Sequence, residues 1–108
     1  MKDDRFLYRT MWTEEDQQYI GLCTEFPSLS WLASSPEAAL RGIRRVVASV
    51  IADMKVQGEA LPQPLSSKPY SGKFVVRVLP DMHRRLAVEA AEAGVSLNRL
   101  VSAKLASS

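Results

Sequence analysis

The sequence predicts an α+β protein made of two small modules. The first is an antiparallel sheet of three strands carrying one long helix, and the second is a strand followed by two helices. Three observations point there. Three short apolar or aromatic runs lie close together early in the chain, joined by connections too short for parallel crossovers. One long amphipathic pattern follows them. A stretch rich in proline and serine then precedes a shorter, basic segment with its own strand and helix signals.

The first strand is expected at Phe6–Trp12, a run rich in aromatics. The polar stretch at 13–18 makes a turn, and Tyr19–Cys23 returns as a second strand. Pro27 interrupts, and Leu29–Ala33 forms the third. The helix is expected from Pro36 to Gln57. Ser34 and Ser35 both offer an N-cap, and proline suits the first helical position. With Ser34 as the cap, Glu37 would complete a capping box. Leu40, Ile43, Val47, Val50, Ile51 and Met54 fall on one face and are expected to be buried. Gly58 supplies the stop, and Pro62 and Pro64 prevent continuation.

The chain has 108 residues and a net charge of only +2, but that average hides an asymmetry. Residues 1–64 carry seven basic and nine acidic side chains, a net of −2, while 65–108 carry seven and three, a net of +4. The change of sign falls in a stretch with three prolines and three serines, 62–72, whose composition is that of a linker. The expected organisation is a first module at 1–61, a linker at 62–71 and a second module at 72–108.

In the second module, Phe74, Val76 and Val78 alternate with Lys73, Val75 and Arg77. One face of this expected strand, 73–78, is apolar and the other is basic at both ends. Pro80 stops it. Met82, Leu86, Ala90 and Ala93 then repeat at helical spacing, and Gly94 ends that helix. Val95 acts as a staple, Ser96 caps the last helix, and Leu97, Leu100, Val101 and Leu105 form its buried stripe. A module under 40 residues without disulfide or metal buries too little apolar area to stand alone. A lone strand also leaves both backbone edges unpaired. Antiparallel pairing of two copies meets both needs and makes a homodimer.

The exposed side of such a ribbon fits the major groove of DNA. Lys73 and Arg77 can donate to guanine O6 and N7, and Val75 can touch a thymine methyl. The start of the last helix, at Ser96 and Asn98, offers free N–H groups to a phosphate.

Other chemistries find little support. A single cysteine, Cys23, excludes a disulfide framework, and a single histidine, His83, excludes a histidine cluster. The first strand run has no acid, and Glu37 and Asp53 lie on the helix, so converging carboxylates for two-metal hydrolysis are not expected. Glu14, Glu15 and Asp16 read as solvated turn acids. Cys23 reads as a buried strand residue, and Trp12 and Trp31 as anchors of a core or an interface. No catalytic residue, metal or cofactor is expected. No apolar run reaches membrane-span length, and the start of the chain has no signal-peptide core, so a cytoplasmic protein without a membrane association is expected.

Residues 71–101, SGKFVVRVLPDMHRRLAVEAAEAGVSLNRLV, resemble a ribbon-helix-helix module of the Arc/MetJ type, most specifically in GVSLNRLV. Upstream, YIGLCTEFPSLSWLASSPEAAL at 19–40, with Gly58–Glu59 and Pro62 to Pro64, is similar to the HicB antitoxin family. The resemblance implies a partial, degenerate RNase H-like first domain and an intertwined ribbon-helix-helix dimer, with tetramers within reach. It implies an antitoxin that neutralises a HicA-like ribonuclease toxin and represses its own operon by binding operator DNA. By position it assigns Lys73, Val75 and Arg77 to base reading and Ser96 and Asn98 to phosphate contacts. Many such ribbons carry a polar side chain where this one has Val75. The alternatives are a stand-alone ribbon-helix-helix regulator or a protein-interaction module without a toxin partner.

Overall fold

A computed structural model describes residues 5–107. The outermost residues of the two expected modules, 1–4 and 108, lie outside the described residues. The fold is α+β, with a three-stranded antiparallel sheet and three helices. The chain divides into two compact units, Met1–Tyr70 and Ser71–Ser108.

In the first unit, β1 (Tyr8–Thr13), β2 (Gln18–Cys23) and β3 (Ser30–Ala33) lie in the order β1-β2-β3. The register sets Tyr8 against Cys23 and Trp12 against Tyr19 on one side of β2, and Gly21 against Trp31 on the other. β1 begins two residues later than its aromatic run predicts. Phe6 leaves the strand direction and turns into the core, where its ring meets Phe26 edge-on at 5.4 Å. The turn between β1 and β2 is held by Gln17, which has a positive φ of 53° and donates from Nε2 to the Glu14 carbonyl at 2.8 Å.

Helix α1 (Pro36–Gln57) has the expected bounds because its ends are set by local chemistry. Ser35 is the cap, and its Oγ accepts the Ala38 N–H at 3.1 Å, so the alternative box from Ser34 does not form. At the other end Gly58 takes the left-handed conformation. Its N–H reaches the Lys55 carbonyl and that of Glu59 reaches Met54, which is a Schellman closure.

Gly21 of β2 lets α1 lie close to the sheet. A Cβ there would run into the Ala39 carbonyl oxygen and stand 2.9 Å from Cγ2 of Ile43. Gly42 makes similar room for the Trp31 indole. The close approach fixes which helix residues are covered. Ala39, Gly42, Ile43, Val47 and Ile51 are buried, whereas of the residues expected in the stripe Leu40 is rotated to the exposed side and Val50 and Met54 are only half-buried. Phe6, Cys23, Ile43, Val47 and Ile51 form the core, with Tyr8, Phe26, Leu29 and Leu61 packed around it. Trp12 and Trp31 do not enter that core. They stay half exposed, Trp12 stacking edge-on against Tyr19 at 5.1 Å.

In the second unit, α2 (Pro80–Ala93) and α3 (Leu97–Ala106) are joined by a turn at Gly94. Gly94 has φ 70°, and the Val95 N–H reaches the Ala90 carbonyl at 3.0 Å. Lys104 on α3 pairs with Glu89 on α2 at 3.0 Å. The expected strand at 73–78 is not formed in the single chain. A strand exists only through its ladder, and no other segment of this unit offers an edge. The expected helix stripes are also incompletely covered, with Met82 41% and Leu105 60% exposed. Ala90 is the one buried residue of this unit among the described residues. Two helices alone provide no second layer to close over the rest.

Candidate nucleic-acid interface

Residues 73–79 are all exposed in the single chain. Gly72, with φ 87°, and Ser71 set their start, the Ser71 Oγ accepting the Lys73 N–H at 3.0 Å. Lys73, Val75 and Arg77 therefore stand on one stretch of accessible backbone that ends where Pro80 opens α2. Val75 is 90% exposed, the apolar Phe74 75% and Val76 65%. Neither side of the alternating pattern is covered. Large apolar side chains left open in series mark a surface that associates.

Ser96 and Asn98 are brought together at the start of α3. Ser96 is its N-cap, accepting the Arg99 N–H on Oγ at 3.0 Å. That leaves the N–H groups of Leu97 and Asn98 at the helix end without an intrahelical acceptor. The end of a helix dipole and these donors suit an anion. The first group of residues and the second lie on opposite sides of α2 in sequence, and among the described residues no hydrogen bond links them. Arg84 is engaged with Asp81 at 3.3 Å near the start of α2.

Burial pushes the Cys23 thiol above its ordinary pKa, with the neighbouring Glu25 charge adding to this, so the thiolate a nucleophile requires is disfavoured. Glu14 is held below its ordinary value by the Trp12 indole N–H and then by Gln17. Among the described residues, no group of three or more His, Cys, Asp or Glu side chains is placed to hold a metal ion. No helix is long and apolar enough to cross a membrane. One open depression on the first unit is lined by Arg9, Leu22, Cys23, Thr24 and Pro27.

Sequence reasoning missed Glu25. Its two carboxylate oxygens accept the backbone N–H of Leu7 at 3.0 Å and of Leu65 at 2.8 Å. No local motif could have paired it with a residue 40 positions away.

A model of the HicB family matches residues 56–105. The match spans 50 of the chain's 108 residues and is a likeness over that stretch. It runs from the last turn of α1 through the connecting segment, the exposed stretch at 73–79 and α2, and into α3, so the HicB likeness covers the candidate interface and leaves the sheet outside it. No curated protein and no solved structure matches the chain.

Proposed function

We propose that this protein is the antitoxin of a HicB-type toxin–antitoxin pair, and that it is a regulator and not an enzyme. Two copies pair their 73–78 segments into an antiparallel ribbon over four helices, making a ribbon-helix-helix dimer. The ribbon enters the major groove of operator DNA, where Lys73 and Arg77 read guanine edges and Val75 meets a thymine methyl. Ser96 and Asn98 seat the start of α3 on a phosphate and fix the register. The first unit, a partial RNase H-like domain without its carboxylates, holds a HicA-like ribonuclease toxin. Pairing the dimers further gives a tetramer.

One observation carries this reading. The segment at 73–78 alternates basic and apolar side chains, stands exposed and unpaired, and precedes two helices that bury one residue between them. Dimerisation covers Phe74, Val76 and Val78 and doubles a net +4 segment to +8. The HicB match over the same stretch supports it. The deciding experiment is a gel-shift titration on DNA from upstream of the gene. Arg77→Ala is expected to lower affinity by ~1–3 kcal/mol, roughly five- to 150-fold, while sedimentation still gives a dimer. Unchanged affinity would remove Arg77 from the reading face.

A second reading rests on Val75. An apolar residue at the centre of the reading face, 90% exposed, also suits a protein surface. A partner protein that binds with little salt dependence, with no retention of DNA, would favour an interaction module over a DNA reader.

A further inference from the structure

The connection between the two units is expected to be free chain over 62–71, but its first part is fastened down. Leu65 donates its N–H to Glu25 Oε2 at 2.8 Å, and Ser66 donates its Oγ–H to the Arg5 carbonyl at 2.6 Å. Leu61 packs against the core, and the Tyr70 hydroxyl donates back to the Leu65 carbonyl at 3.0 Å. A turn at 65–67 is closed by the N–H groups of Ser67 and Lys68 on the Pro64 carbonyl. The other oxygen of Glu25 takes the N–H of Leu7 at 3.0 Å, just before β1. One carboxylate thus joins the entry to the sheet, the end of β2 and the strap that follows α1.

We propose that Glu25 is a clasp that holds residues 61–70 on the first unit and so sets the length of free chain leading to the second. Two N–H donors on one carboxylate are charge-assisted, stronger than neutral hydrogen bonds. They converge from segments 18 and 40 residues away, so releasing the carboxylate frees two backbone donors at once. With the clasp closed, Ser71 and Gly72 are the only residues between the strap and the 73–78 segment. The reach of the tether is then on the order of 7 Å, against ~16–19 Å for ten free residues. An event that opens the clasp lengthens the tether without unfolding either unit. The inference is independent of what the second unit binds.

The test is amide hydrogen exchange read residue by residue on the full chain. In Glu25→Gln the Leu65 amide should exchange roughly tenfold faster than in the parent, while amides of β2 keep their protection. An unchanged Leu65 rate overturns the clasp. Should Glu25→Gln also loosen β2, Ser66→Ala decides, because the bond it removes is the one from its hydroxyl to the Arg5 carbonyl, outside β2. A severalfold faster Leu65 amide with β2 intact supports the proposal there, and no change overturns it. Backbone order parameters give a second readout. Residues 66–70 should fall below ~0.6 in Glu25→Gln, and values staying near ~0.85 would overturn the link to tether length.

Discussion

Phe6, Cys23, Ile43, Val47 and Ile51 in the first unit retain at most 6% of their exposure, whereas in the second only Ala90 is buried among the described residues. Both units carry amphipathic helices, α1 and α3 capped by a serine and α1 and α2 closed by a left-handed glycine, so local helix signals do not distinguish them. The difference lies in what each helix has to pack against. Helix α1 has a sheet from its own chain, brought within backbone contact by Gly21. Within the second unit, helices α2 and α3 pack on each other. Caps and amphipathic stripes specify a helix, but a core needs a second layer, and here one layer is missing from the single chain.

The largest expected effect attacks that missing layer. Phe74→Asp places an unpaired charge where two ribbons would fuse, and burying such a charge is costly. We expect the dimer to dissociate in sedimentation and DNA affinity to fall by at least ~100-fold, about 2.8 kcal/mol. Thermal unfolding of the first unit should be unchanged. A variant that stays dimeric would show that the second unit completes itself some other way.

Ile43→Ala probes the other side of the comparison. Ile43 is fully buried between α1 and β2, and its truncation should destabilise the first unit by ~2–5 kcal/mol in urea. If the units are energetically separate, gel-shift affinity at low denaturant should stay within about twofold of the parent. A parallel loss of DNA binding would mean that the second unit leans on the first.

The smallest effect is in acid. Burial works to raise the Glu25 pKa, but the N–H donors of Leu65 and Leu7 outweigh it, so the folded value lies below the ordinary one. A carboxylate depressed in the folded state contributes stability above its unfolded pKa, near ~4.3, and loses it as pH falls through the folded value. The melting temperature of the parent should therefore drop towards that of Glu25→Gln between about pH 5 and pH 3. A gap between them that stays constant with pH would assign the effect of the substitution to shape and not to charge.

What was legible in the sequence follows the same division. The bounds of α1 were readable because Ser35, Pro36 and Gly58 act within a few residues of themselves. The α2–α3 turn was readable for the same reason, through Gly94 and Ser96. Leu40 was misjudged because periodicity gives a face but not the width that a three-stranded sheet can cover. Phe6 was misjudged because an aromatic run has no mark for where the chain leaves the ladder. The segment at 73–78 has the alternation of a strand, yet alternation without a neighbouring edge to bond to does not form one. The Glu25 contact with Leu65 spans 40 residues and involves a backbone donor, which leaves no trace in residue identity.

The half-exposed tryptophans have a practical consequence. Trp12 and Trp31 both belong to the first unit, as do Tyr8, Tyr19 and Tyr70, and Phe74 is the only aromatic residue beyond Tyr70. Tryptophan emission excited at the red edge of its absorption, where DNA does not absorb, therefore reports on the first unit and is silent about residues 73–78. DNA that touches only the second unit leaves this light unchanged. A spectral change on adding DNA would come from the sheet and α1, and it makes the protein its own gauge of signal passing between the two units.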